Sequence, residues 1–258
     1  YDKPMIYYPL STLIASGINE ILIITTPHDL ALFQSLLSDG SQWGCSISYA
    51  IQSEPKGIAE AFLIAESFIA SDNVVLILGD NIFYFPSLEF VVANSIKNKG
   101  ASIFAYHVSN PSRYGVVEIS SANKILSIEE KPLEPKSNYA IPGFYFFDNN
   151  VVEYAKQLTP SRRGELEITD IISKYYELDL LNVIKMDKGT AWLDTGTVSS
   201  LMEAGQFVQV LEKRQGLKVG CVEEQAFIKK YINRDQLRQL AKAFNNNYGK
   251  YLISLLND

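Results

Sequence analysis

Val74-Val75-Leu76-Ile77-Leu78-Gly79-Asp80-Asn81 decides the fold. Its five leading residues are all apolar and three are β-branched. A short continuous apolar run of this kind reads as a strand buried on both faces, as in a parallel sheet. The run turns polar at Gly79-Asp80. A carboxylate just past a buried strand lies at the sheet rim, where open α/β sheets take their ligands. Gly79 leaves room for a ligand to approach the backbone.

Upstream of this strand, helix and strand alternate. Met5 to Ser16 reads as a helix with Gly17 as its stop, and Pro9 predicts a kink within it. Ile21 to Thr25 is a buried strand, Asp29 to Leu37 a helix, Ser46 to Gln52 a strand and Gly57 to Ile69 a helix. Downstream, Leu88 to Lys97 is a helix and Ala101 to His107 a strand. This alternation predicts a Rossmann-like α/β fold, a mostly parallel sheet with helices on both faces. A sheet of this type that opens on a helix is expected to have a further strand and loop before Tyr1.

After residue 110 the rhythm changes. Tyr114 to Ile119, Lys124 to Glu130 and Tyr139 to Phe147 are strands without intervening helices, a small β-rich insertion. Helices return at Asn149 to Leu158 and Glu167 to Leu178, followed by strands at Leu181 to Met186 and Ala191 to Leu193. Val198 to Gln215 is a long amphipathic helix. From Glu223 the tail reads as short helices.

The strand at Ala191 ends as the first one does, in Trp192-Leu193-Asp194-Thr195-Gly196-Thr197. Asp194 alone fits an ordinary turn with Thr195 or Thr197 capping the next helix. Asp80 alone fits a turn after a strand. Two carboxylates at one rim, however, can hold a divalent cation that prefers oxygen ligands and bridges to phosphates. Glu129-Glu130-Lys131-Pro132 closes a strand in charge; it is either a solvated strand end or a site where Lys131 neutralises phosphate and Glu130 accepts sugar hydroxyls. Gln52 to Gly57 links strand to helix, and Arg163 sits just before another helix, where it could clamp a phosphate.

With 258 residues the chain suits one large domain or one domain and an appendage. Its 47% hydrophobic content supplies a core. A net charge of −6 argues against a nucleic-acid binder. No apolar run reaches the ~18 residues of a membrane span, so no membrane partner is expected. Cys45 and Cys221 make neither a disulfide framework nor a metal spacing, which predicts a reduced cytoplasmic setting. His28 and His107 lack a neighbouring nucleophile pattern.

Several longer stretches carry a resemblance. Tyr1-Asp2-Lys3-Pro4-Met5-Ile6-Tyr7-Tyr8-Pro9-Leu10, Leu78-Gly79-Asp80-Asn81-Ile82-Phe83-Tyr84 and Arg113-Tyr114-Gly115-Val116-Val117-Glu118 are three of them. Others are Glu129-Glu130-Lys131-Pro132-Leu133-Glu134-Pro135-Lys136-Ser137-Asn138-Tyr139-Ala140, Gly164-Glu165-Leu166-Glu167-Ile168-Thr169-Asp170, Trp192-Leu193-Asp194-Thr195-Gly196-Thr197 and Arg214-Gln215-Gly216-Leu217-Lys218. In order and spacing they resemble the glucose-1-phosphate thymidylyltransferases over nearly the whole chain.

The resemblance implies formation of dTDP-glucose and pyrophosphate from dTTP and glucose 1-phosphate, the first committed step toward dTDP-rhamnose. It implies Mg²⁺ held by Asp80 and Asp194, with Lys131 sharing the catalytic work. Gln52 and Gly57 would face the base. Gly115, Glu130 and Ile141 would surround the glucose, Tyr114 and Tyr145 line the same pocket, and Lys131 and Arg163 contact its phosphate. It divides the chain into a nucleotidyltransferase domain, 1–215, with a sugar-binding part at about 111–187, and a helical region, 216–258. A homotetramer with a separate dTDP-rhamnose regulatory site is the family habit. The family's G-G-x-G-T-R-L and S-K-Q-L-L-P motifs occur nowhere in this sequence, so the chain as written is expected to have little or no activity. Two alternatives stay open: a sugar-nucleotide-binding or assembly protein without turnover, and a transferase using UTP or another sugar phosphate.

Overall fold

The computed structural model describes residues 1–84, 92, 95 and 99–257. The expected helix from Leu88 to Lys97 lies mostly outside them. The class is mixed α/β, with helices on both sides of a multi-stranded sheet.

Chain order begins with α1 (Tyr7–Ala15), β1 (Glu20–Thr25), α2 (Leu30–Leu37), β2 (Ser46–Ile51), α3 (Glu60–Ile64), α4 (Glu66–Ile69), β3 (Val74–Ile77) and β4 (Asn81–Tyr84). The β-rich stretch follows as β5 (Ala101–His107), β6 (Gly115–Ile119), β7 (Ile125–Glu130), β8 (Tyr139–Ala140) and β9 (Phe144–Phe147). Then come α5 (Val151–Lys156), α6 (Ile168–Glu177), β10 (Leu181–Lys185), β11 (Ala191–Asp194) and α7 (Val198–Gln215). The tail forms α8 (Val222–Ile228), α9 (Arg234–Lys242) and α10 (Asn247–Ser254).

Two pairings are parallel, β1 with β2 and β5 with β10, as the alternating rhythm requires. The rest of the described ladder is antiparallel, running β3-β9-β5-β8-β6-β7. The β-rich insertion supplies these antiparallel neighbours, because strands joined without helices return alongside their predecessors. β1 and β3 are not hydrogen-bonded to each other. A cleft of about 220 Å³ lies between them, lined by Ile21, Leu22, Val74 and Leu76, and roofed by Leu13 and Phe62.

Three local expectations change. Helix α1 starts at Tyr7, so Pro9 falls in its first turn, where a missing N–H has no intrahelical partner to lose. The helix from Gly57 to Ile69 is two short helices meeting at Ala65. The strand from Tyr139 to Phe147 is split into β8 and β9 at Pro142-Gly143, since Pro cannot donate to a ladder.

Alternation along β9 sorts the core into two faces. Phe144 and Phe146 point to one side, with Leu10, Ile14, Trp43 and Phe104. Tyr145 and Phe147 point to the other, with Phe62, Val117, Ile171 and Tyr175. The C-terminal helices join the first side: Val222, Leu237, Ala241 and Leu252 are buried in the same cluster as α1. Within it the buried Glu223 carboxylate accepts from Tyr248 Oη at 2.5 Å and from Trp43 Nε1 at 3.4 Å. Cys45 and Cys221 are buried free thiols, and burial pushes the Cys45 thiol up to about 11. No helix among the described residues is long and apolar enough to cross a membrane.

Candidate active site

Asp80 and Asp194 meet through a strand that sequence reasoning missed. Asn81-Ile82-Phe83-Tyr84 forms β4, which pairs antiparallel with β11 in a separate ribbon. The register sets Asp194 opposite Asn81, so the residue before one strand and the last residue of the other share an end. Thr195 ties that end by donating twice to the Asp80 carbonyl, from its N–H at 3.0 Å and its hydroxyl at 2.9 Å. Thr197, not Thr195, caps α7, accepting from Ser200 N–H at 3.1 Å. The two carboxylates border one open space beside Gly196. A Cβ there would lie 3.8 Å from Asp80 Oδ2 and 4.0 Å from Asp194 Oδ2.

Asn81 holds this corner together. Its side chain is buried; Nδ2 donates to Asp80 Oδ1 at 2.6 Å, while Oδ1 accepts from Trp192 Nε1 at 2.6 Å and Gly143 N–H at 3.3 Å. Trp192 is in contact with Tyr114, with ring centroids 4.9 Å apart. Arg113 lies over the Tyr114 ring and places Nη2 3.5 Å from Asp194 Oδ2.

A cavity of about 170 Å³ opens beside this corner. Its lining includes Asp80, Asp194, Tyr114, Gly115, Glu130, Lys131, Ile141 and Tyr145, eight of the residues chosen from sequence. Gly115 must be small: a Cβ there would meet Thr169 Cγ2 at 2.9 Å and Glu130 Oε2 at 3.4 Å. Glu130 Oε2 accepts from the Thr169 hydroxyl at 3.1 Å, and Oε1 lies 3.5 Å from Arg163 Nη1. Burial, and secondarily the Glu167 charge, raise the Glu130 carboxyl above its ordinary value against the pull of Thr169, Lys131 and Arg163. Burial and the Asp194 charge likewise raise the Tyr114 phenol. Burial raises that of Tyr145 strongly. Lys131 has φ of +39°, a conformation side-chain-bearing residues seldom adopt, and its N–H donates to the Tyr114 carbonyl at 3.1 Å.

The remaining three candidates stand at the margin. Arg163 is not in the lining; its guanidinium engages Glu130, Glu165 at 3.0 Å and Glu167 at 3.4 Å. Gln52 Nε2 donates to Glu60 Oε2 at 2.7 Å and to the Gly57 carbonyl at 3.2 Å. It lines a neighbouring cavity of about 240 Å³ that shares Ile58 and Leu78 with the first. Gly57, with φ of +104°, packs on backbone: a Cβ would lie 2.4 Å from the Leu166 carbonyl oxygen. Sequence reasoning passed over Asn81, Arg113, Thr169 and Trp192 as individual residues, though each lay inside a motif already quoted. A polar Asn directly after a candidate metal Asp was the available signal.

A hard divalent cation fits this donor set. Mg²⁺ keeps several waters and is held by one or two carboxylates plus substrate phosphates. Two aspartates beside open space suit that habit, and no group of three or more His, Cys, Asp or Glu residues exists among the described residues to enclose a metal fully.

The nucleotidyl transferase family model matches residues 1–210. Glucose-1-phosphate thymidylyltransferases of Mycolicibacterium smegmatis and Neisseria meningitidis are each 52% identical over 258 residues, covering 100% and 99% of this chain and 90% of each relative. A Bacillus anthracis protein assigned to the same activity and solved with sucrose has a TM-score of 0.73 at 40% identity, over 79% of this chain and 82% of its own. A UDP-glucose pyrophosphorylase solved with UDP-glucose, at 22% identity and TM-score 0.70, shares the fold. With the family model matching most of its length and the relatives alike from end to end, the chain belongs to the nucleotidyl transferase family, among the glucose-1-phosphate thymidylyltransferases.

Proposed function

We propose that the chain's site joins dTTP to glucose 1-phosphate, giving dTDP-glucose and pyrophosphate. The observation that carries this reading is the convergence of Asp80 and Asp194 with Gly115, Glu130, Lys131 and Tyr145 on one cavity. A sugar phosphate oxygen attacks the α-phosphorus of the nucleotide; that P–O bond forms as the bond to the leaving pyrophosphate breaks. Little covalent work falls to the protein, so positioning and charge neutralisation carry the rate. Glu130, ionised, accepts from sugar hydroxyls while Thr169 and Arg163 hold its two oxygens. Lys131 brings an ammonium to the sugar phosphate from a backbone turn already set in place. Asp80 and Asp194 would hold Mg²⁺, which when bound neutralises phosphate charge. Gln52 edges the base subsite across Leu78, with Gly57 behind it accepting from the Gln52 amide. Arg163 reaches phosphate only by leaving one of its carboxylates, so its resting task is to hold Glu130.

Release of pyrophosphate from dTTP and glucose 1-phosphate tests the reading; no release with any nucleoside triphosphate overturns it. UTP as a competing substrate decides the base. We also propose a homotetramer with a dTDP-rhamnose regulatory site and a cytoplasmic setting. Exposed Val198, Leu201, Met202 and Val210 along α7 favour a subunit contact, and two buried free thiols suit a reducing compartment.

A further inference from the structure

We propose that Arg113 is the counter-cation of Asp194, which exchanges with the divalent metal and then turns to the phosphates. The proposal rests on Asp80 and Asp194 being the metal pair. Three observations lead to it. First, Arg113 Nη2 stands 3.5 Å from Asp194 Oδ2, a charge contact too long for a good hydrogen bond. Its side chain is 45% exposed at the cavity mouth, where such pairs are weak and exchangeable. Second, the guanidinium has an anchor besides Asp194, although the Tyr114 phenol itself faces that carboxylate. The guanidinium lies 5.7 Å over the Tyr114 ring, and Tyr114 packs on Trp192, two residues before Asp194 in β11. The arm therefore keeps its place when the carboxylate is taken by another cation. Third, the arginine expected from sequence to meet phosphate is committed elsewhere: among the described residues Arg163 faces three carboxylates and Arg113 one.

The physics runs in one direction. A dication held by Asp80 and Asp194 would neutralise the charge that holds Arg113 and would repel the guanidinium at short range. Polyphosphate oxygens entering the cavity mouth would then offer a compensating charge that matches the planar fork of Arg. Arg113 would thus balance the site in both states, and its charge would weaken metal binding until phosphate arrives.

The test is a titration of the full chain with Mn²⁺ alone, followed by calorimetry or by the electron paramagnetic resonance of free Mn²⁺. R113Q is expected to bind Mn²⁺ about three- to tenfold more tightly than wild type, and R113K about as wild type does. With Mn²⁺ present, both variants should bind inorganic pyrophosphate more weakly than wild type. Equal or weaker Mn²⁺ binding by R113Q overturns the proposal, since that is the result if Arg113 merely positions Asp194. Pyrophosphate binding that is absent in wild type, or undiminished in the variants, overturns the second step. D194N separates the two layers: if wild type binds Mn²⁺ no better than D194N, the metal pair itself falls and the proposal with it. If wild type binds better than D194N but R113Q gains nothing, only the proposal falls.

Discussion

Asn81 carries more of the site than its place in the sequence suggests. Asn81→Ala would leave the Gly143 N–H and the Trp192 indole N–H without their acceptor and free the Asp80 carboxylate. Each orphaned buried donor costs about 1–3 kcal/mol, so urea denaturation should show a loss of about 2–6 kcal/mol together with falling metal affinity. An unchanged midpoint would remove Asn81 from this role. Lys131 gives the opposite signature. Its positive φ costs of order 1–3 kcal/mol in a non-glycine residue, so Lys131→Gly should leave stability equal or higher while turnover collapses. Glu130 gives a pH signature. Its raised pKa means that its protonated form is favoured by folding: that stability is full below the ordinary Glu value and is lost as pH rises through the folded pKa. Sugar binding needs the ionised form, so the acid limb of kcat/KM for glucose 1-phosphate should lie above the ordinary carboxylate range. Glu167→Gln removes one cause of the shift and should move that limb to lower pH; a limb that stays put contradicts the assignment. Asp80 was legible because a Gly-Asp step ends an apolar run. The role of Asn81 was not, because its partners lie 62 and 111 residues away.

At the scale of elements, periodicity located the buried strands and failed where pairing alone makes a strand. Asn81-Ile82-Phe83-Tyr84 has too few residues to declare a period, and it becomes β4 because β11 lies beside it. The two aspartates were therefore expected at the rim of a parallel sheet, whereas an antiparallel ribbon unites them. The loop from Gln52 to Gly57 shows a similar shift. It was read as an approach to a ligand, and its glycine has a packing reason as well. Lys56 O accepts from Leu166 N–H at 2.7 Å, and Ala59 N–H donates to Leu166 O at 3.2 Å, so the loop is laced to the segment before α6. Gly57→Ala combines a strained φ with a backbone collision. It should cost at least about 2 kcal/mol and loosen Glu167, seen as a lower denaturation midpoint and weaker sugar phosphate binding together. A midpoint equal to wild type would show that the loop yields freely.

For the molecule as a whole, the helices after residue 216 share a core with the N-terminal part of the chain. The C-terminal helices close over α1 and Trp43, and Leu237 is fully buried there. Leu237→Ala should cost about 2–5 kcal/mol and lower a single unfolding transition seen equally by tryptophan fluorescence and far-ultraviolet circular dichroism. Two separated transitions would mean that the helices fold apart. Amphipathic helices were readable in the tail; the partner of their apolar faces was not, because α1 and Trp43 lie at the other end of the chain. The mixed strand directions escaped for the same reason, since neighbours in the sheet are set by where the β-rich insertion returns. The central claim is that this architecture exists to bring Asp80 and Asp194 to one cation beside a sugar phosphate pocket. It is tested most directly by Mg²⁺-dependent pyrophosphate release from dTTP and glucose 1-phosphate, comparing wild type with Asp80→Asn. The account predicts a loss of about a hundredfold or more with an unchanged unfolding midpoint; Asp80→Asn turnover equal to wild type at every Mg²⁺ concentration would contradict it.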